Sequence, residues 1–194
     1  MNKKLLILVL SLFLAGCDLE NQGVLTNNQI PASVFDFMDE KNILEDEYVI
    51  AYYDFTIFLD NSESAILTNK NAIYYKNGRV SKIPLRDIES VDHESTTLEF
   101  IIYVTPTYGP IMTIPIASLN RGSLFLDLLT KEVEKNRYKA SQWLRLAVQQ
   151  NFSEAQYSLG LLLLEGDDGI PKNTVEGMRL LENAAAQNHQ FAKE

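Results

Sequence analysis

The chain has 194 residues, 46% hydrophobic and 22% charged, with one cysteine, two histidines and a formal charge of −9. The apolar share excludes wholesale disorder, and one cysteine excludes an intrachain disulfide framework and any multi-thiolate zinc site. The acidic balance argues against nucleic acid as a partner, because phosphate binding needs a basic face.

At the N-terminus, Lys3 and Lys4 precede a ten-residue apolar run, Leu5 to Leu14, followed by Ala15, Gly16 and Cys17. The run is too short for a membrane span, which needs about 20 residues, and suits the h-region of an export signal. The quartet Leu14-Ala15-Gly16-Cys17 resembles the lipobox of bacterial lipoproteins. The resemblance implies a signal peptide over residues 1–16, recognition of Leu14, Ala15 and Gly16 by the signal peptidase, and a covalent lipid on Cys17 as the only cofactor-like group. It implies a location in the cell envelope, lipid-anchored and facing the periplasm. Asp18 resembles the inner-membrane retention signal of enterobacterial lipoproteins, a rule that varies between bacteria, so inner and outer membrane both stay open. Removing the residues before Cys17 takes two lysines from the −9 total and leaves −11 on the exported form.

Residues 17–32 are polar, with Gly23, Pro31 and several amides, and read as a lipidated flexible tether. Ser33 is placed to cap a short helix over residues 34–41, with Val34, Phe35, Phe37 and Met38 on one face. Short β segments follow: 48–53, 56–59, 64–67, 72–76, 79–83, 89–93, 97–105 and 111–114. Asn77-Gly78 between two of them is a strong hairpin signal, because both turn positions favour positive φ. A helix over 118–134 carries Leu124, Phe125, Leu128, Leu129 and Val133 on one face.

Short strands closed by one amphipathic helix, with the rhythm ILTNKNAIYYKNGRVSKIPLRDIESV, resemble the pleckstrin-homology superfold in its bacterial PH-like or GRAM-like variants. The expected fold class is therefore α+β. A small PH-like β-barrel or sandwich with its C-terminal helix occupies 33–136, and a short helical solenoid occupies 137–194. Such domains bind lipid headgroups or peptides. Lys70, Lys76, Arg79, Lys82 and Arg86 are the candidate contacts to an anionic ligand, weighed against a solvated hairpin whose lysines blunt a strand edge.

Residues 140–156 and 177–193 repeat at an offset of 37, with Leu144/Leu181, Ala147/Ala184, Gln150/Gln187, Asn151/Asn188 and Ala155/Ala192 identical. The string from Ser153 to Asn188 resembles a Sel1-like repeat, a relative of the tetratricopeptide repeat, through Ala155, Tyr157, Leu159, Gly160, Gly166, Gly169, Ala184 and Ala185. Gly166 is suited to end one helix in a left-handed conformation, and Asn173 or Thr174 to cap the next. Asn151 and Asn188 stand where the family has glycine, the next best residue for that geometry.

Asp92-His93-Glu94 is the sole His–carboxylate cluster, and adjacent strand residues point to opposite faces, so no metal site is expected. His189 follows a helix end, where it reads as a cap or a solvated side chain. No catalytic constellation is present, and no enzyme activity is expected. The reading is a periplasm-facing lipoprotein adaptor that binds a protein, possible partners including a basic toxin or an envelope protein. An immunity protein neutralising a secreted, for example phospholipase, toxin is the alternative, and a lipid or envelope-stress sensor a further one.

Overall fold

A computed structural model describes residues 23–56, 58–166 and 170–193. The expected signal peptide, Cys17 with Leu14, Ala15, Gly16 and Asp18, and Gly169 lie outside the described residues. Among the described residues the layout is α+β: eight strands in two sheets, with one short α-helix after the first strand and the remaining α-helices after the last.

The first sheet has the order β1-β2-β3-β4-β5, formed by Leu25–Thr26, Val49–Asp54, Glu63–Thr68, Asn71–Lys76 and Arg79–Pro84. The second has the order β6-β7-β8, formed by Ile88–Ser95, Glu99–Pro106 and Met112–Ala117. Alternation sets the inner face of the second sheet: Ile102, Val104, Met112, Ile114 and Ile116 are buried, with polar or half-buried residues between them. In β3 the alternation is lost, because Ser64–Thr68 are all buried. The β4–β5 hairpin turns on Asn77 and Gly78 at φ 47° and 85°, as the sequence predicts. Residues 56–59, expected as a strand, are not one among the described positions; the chain turns there, with Leu59 and Asn61 at φ 50° and 60°.

The segment 23–32, expected within the tether, is instead part of the fold. Leu25 and Thr26 pair with Tyr52 and Ala51, and Val24, Leu25 and Ile30 are buried. Gly23 makes this possible: at φ 101° it passes so close to Asn120 that a Cβ would lie 3.1 Å from the Asn120 carbonyl oxygen. The Val24 N–H donates to that same oxygen at 3.0 Å. Helix α1, Ala32–Glu40, begins one residue after Pro31. Pro31 takes the N-cap position expected of Ser33, its fixed φ suiting a helix start. Val34 and Met38 of α1 join Ile43, Val49, Tyr52, Ile66 and Ile73 in one core, and Phe37 meets Tyr75 edge to face at 5.1 Å.

Two buried carboxylates fix the turns of this sheet. Asp54 accepts from the Thr56 N–H and hydroxyl at 2.7 and 2.6 Å, and from the Asn61 N–H at 2.8 Å. Glu47 accepts from the Thr68 hydroxyl, from Asn71 Nδ2 at 2.7 Å and from Lys82 at 3.3 Å. Burial alone raises the Glu47 pKa, but the hydrogen bonds from Thr68, Asn71 and the Glu45 backbone, with the Lys82 charge, outweigh it and hold the carboxyl below its ordinary value. A depressed folded-state pKa stabilises the fold above the unfolded carboxylate range, and that contribution fades as pH falls through the folded value. Acid unfolding of the Glu47→Gln variant is therefore expected to show a shallower stability loss below pH 5 than the parent, read from urea midpoints across pH.

Helix α2 runs unbroken over Gly122–Gln149. The sequence places a helix over 118–134 that continues into the repeat array, and α2 does continue; the domain boundary expected at 136 falls inside it. Residues 134–140 hold neither glycine nor proline, and their neighbours' polar groups bond back to the helix: Asn136 Nδ2 to the Glu132 carbonyl at 2.8 Å and Ser141 Oγ to the Tyr138 carbonyl at 2.8 Å. Nothing in that stretch breaks the helix. The described residues divide into two compact units: one runs to Ile83 and takes in Glu89–Leu126, and the other holds Pro84–Ile88 with the chain from Asp127.

Candidate protein-binding surface

The helical unit is built by α2 from Asp127 onward with α3, Ser153–Glu165, and α4, Thr174–Ala186. Leu159, Leu163, Ile170 and Leu180 form its core, with Leu144, Val148 and Leu162 packed against them. Two glycines set the α3–α4 distance. A Cβ on Gly160 would lie 3.1 Å from the Gly177 carbonyl oxygen, and one on Gly177 would lie 2.9 Å from that of Gly160. Only glycine lets the two backbones come this close. Gly166 closes α3 at φ 73°, its N–H reaching the Leu162 carbonyl at 3.0 Å. Asn173 caps α4 by accepting from the Glu176 N–H at 3.1 Å, while its own side-chain amide donates to Glu176 Oε2 at 3.2 Å. Glu176 also meets Arg145 of α2 at 3.4 Å.

The repeat is visible in the backbone. Asn151 and Asn188, 37 residues apart, both adopt left-handed φ, 63° and 66°. The following N–H groups, of Phe152 and His189, return to Ala147 and Ala184 at 3.2 and 3.0 Å. Asparagine thus does the work of the expected glycine. Amide side chains tie the two helix ends together: Gln156 Nε2 donates to Asn151 Oδ1 at 2.9 Å, and Gln187 Nε2 to Gln156 Oε1 at 2.7 Å.

His189, expected as a cap or a solvated side chain, closes the end of α4 with its backbone N–H, but its ring is not solvated. It is buried, stacked on Tyr157 with ring centres 4.4 Å apart, and its Nε2 lies 2.7 Å from Glu154 Oε2. No local pattern signals this, because Tyr157 and Glu154 lie more than thirty residues away. Of the repeat landmarks, Ala155, Leu159, Gly160 and Ala184 are buried, Tyr157 and Ala185 half-buried.

The five candidate anion contacts do not form one free basic patch. Lys76 pairs with Glu63 at 3.1 Å, and Lys82 with Glu47 and Glu45 at 3.3 and 3.6 Å. Lys70 donates to the Glu45 carbonyl at 3.3 Å, and Arg86 lies 3.6 Å from Asp87. Arg79 is exposed at the start of β5. Asp92, His93 and Glu94 diverge: His93 stacks on Phe100, and Glu94 accepts from the Tyr103 hydroxyl at 3.1 Å. Among the described residues no group of three His, Cys, Asp or Glu is placed to hold a metal.

The apolar side chains left exposed on the helical unit include Tyr138, Trp143, Leu146, Phe152, Val175 and Met178. Scattered exposed hydrophobes are ordinary; of these, Phe152 borders a groove at the start of α3 with Leu144, Ala147 and Ala155.

No curated protein matches the chain. Among solved structures, a DUF1696-family protein with a pleckstrin-homology domain from Shewanella loihica PV-4 is similar, at 14% identity and a TM-score of 0.41 over 53% of this chain and 99% of that one. A likeness at that TM-score does not assign a fold. The Sel1 repeat model matches at residues 116–152 and 153–189, so that the second match covers α3 and α4 and the first covers the end of β8 and α2. Residues 116–189 therefore carry two Sel1 repeats.

Proposed function

We propose that the protein is a lipid-anchored adaptor of the cell envelope, which binds a protein partner through its helical unit. The observation that carries the reading is the pair of Sel1 repeats, a class that generally mediates protein–protein interaction, with Trp143 exposed on α2. The lipobox-like quartet ending in Cys17 supports the anchor: two or more acyl chains, at about 0.8 kcal/mol per buried methylene, hold a protein firmly at a bilayer. The net charge favours a basic partner, which is the feature that keeps the toxin-neutralising role as a second reading. A headgroup-sensing role has less support, because Lys76 and Lys82 are engaged by Glu63, Glu45 and Glu47.

The anchor is tested by metabolic labelling with an alkyne fatty acid. The parent chain is expected to take up label and to sediment with membranes, and Cys17→Ser to lose the label and enter the soluble fraction. Label retained by the variant removes Cys17 as the lipidated residue. The adaptor role is tested by affinity capture from the protein's own envelope, where recovery of no partner counts against it.

A further inference from the structure

The 37-residue repeat sets Ala140, Trp143 and Ala147 of α2 at the positions of Gly177, Leu180 and Ala184 of α4. In α4 that face is buried, and α3 is the helix that lies on it, with Gly160 against Gly177. In α2 the same positions are less covered: Ala140 is exposed, Trp143 is 72% exposed where Leu180 is 1% exposed, and Ala147 is half-buried. The backbone explains the difference. By the repeat match, the helix that would fold back on this face belongs to the residues following 116. Those residues form the end of β8, a turn and the first turns of α2 itself. The face has the make-up of a helix seat, and the segment that would fill it has been used to extend α2.

We propose that the Ala140–Trp143–Ala147 face docks an amphipathic helix of the partner protein, which takes on α2 the place that α3 takes on α4. The proposal rests on the adaptor reading and names the chemistry of its partner. Spacing of i, i+3 and i+7 presents one stripe along a helix, and small residues on either side of a single large one admit a second helix at short distance. The stripe continues an interface already formed, since Leu144 and Val148, one position beyond Trp143 and Ala147, pack against the core of Leu159 and Leu163. A helix seated there adds to the stack in the direction the repeats already follow. The matching stripe on the partner has a small residue among leucines, the pattern of Leu159, Gly160, Leu163 and Leu164.

Trp143 is the only tryptophan in the chain, so its fluorescence reads this face directly. The probe is a helix-stapled peptide with the sequence of residues 153–165, titrated into the full chain. The expected result is a saturable blue shift of the emission with loss of acrylamide quenching. Replacing the glycine of the peptide by leucine, or Ala147→Glu in the protein, is expected to weaken binding at least tenfold. Circular dichroism of Ala147→Glu checks that the variant is folded. An emission that stays red and quenchable at saturating peptide overturns the proposal. So does a blue shift that grows with protein concentration alone, because a second copy then covers the face. If folded Ala147→Glu still captures an envelope partner at the parent's yield, the helix seat is wrong and the adaptor reading stands. If the parent captures nothing, the adaptor reading itself fails.

Discussion

Gly177→Val is expected to lower the unfolding midpoint of the helical unit by roughly 10–20 °C, taking about 4–8 °C per kcal/mol for a unit of this size. The first added carbon would lie 2.9 Å from the Gly160 carbonyl oxygen and 3.0 Å from a methyl of Leu164. A side-chain methyl can rotate aside, but a backbone oxygen moves only if α3 moves. Overpacking of this kind costs about 2–3 kcal/mol, and removing a glycine from a helix interior returns less than about 1 kcal/mol of it. Separating the helices would also loosen Leu159, Leu163, Ile170 and Leu180, which pack across the same crossing. Gly177→Ala meets the same oxygen with one carbon and should show a smaller loss. Thermal melts followed by circular dichroism check both, and an unchanged Gly177→Val midpoint would mean that the α3–α4 contact is looser than described.

Asp54→Ala is expected to cost the β-rich unit about 3 kcal/mol, the loss of an acceptor shared by several buried donors. The Asp54 carboxylate holds the Thr56 N–H and hydroxyl on one oxygen and the Asn61 N–H on the other, with the Tyr52 hydroxyl 3.3 Å away. Burial first, and then the Asp54 charge, raise the Tyr52 pKa well beyond the ordinary tyrosine range, so the phenol stays a protonated donor. These bonds keep Leu59 and Asn61 at positive φ, a conformation unfavourable for leucine that the turn imposes. Alanine leaves the donors unpaired. Asparagine keeps one acceptor oxygen and is expected to recover most of the loss. Urea midpoints for the three proteins order parent, Asp54→Asn and Asp54→Ala if the account is right, and equal midpoints for the last two would show that the carboxylate is dispensable.

The parts of this fold that could be read beforehand are those fixed by one or two neighbouring residues. Asn77-Gly78 specifies its turn by itself, and Gly166, Asn173 and Asn188 mark helix ends through their own backbone preferences or side-chain bonds. The period of 37 reports the helix pairs because identical residues recur at it. What stayed hidden depends on distant partners. Residues 23–32 have the composition of a linker, and only pairing with β2 and the approach of Gly23 to Asn120 makes them structure. Lys82 reads as a free cation until Glu45 and Glu47 are brought beside it.

The candidate surface was legible to the same degree. The repeat pointed to a protein-binding unit, and its landmark residues fall in the α3–α4 hairpin. Trp143 stands at the repeat position of Leu180, which is buried, yet it is 72% exposed. It is exposed because α2 continues upstream where the repeat would have folded back.

The central claim, that the helical unit is the partner-binding part of the protein, is tested most directly by site-specific photo-cross-linking in the native envelope. A photoreactive residue is placed in turn at Trp143 and Phe152 on the helical unit, and at Tyr108 and Leu98 on the β-rich unit, all of them exposed. The account predicts adducts to the same second protein from positions 143 and 152 and none from 108 and 98. Adducts confined to 108 and 98 would contradict it.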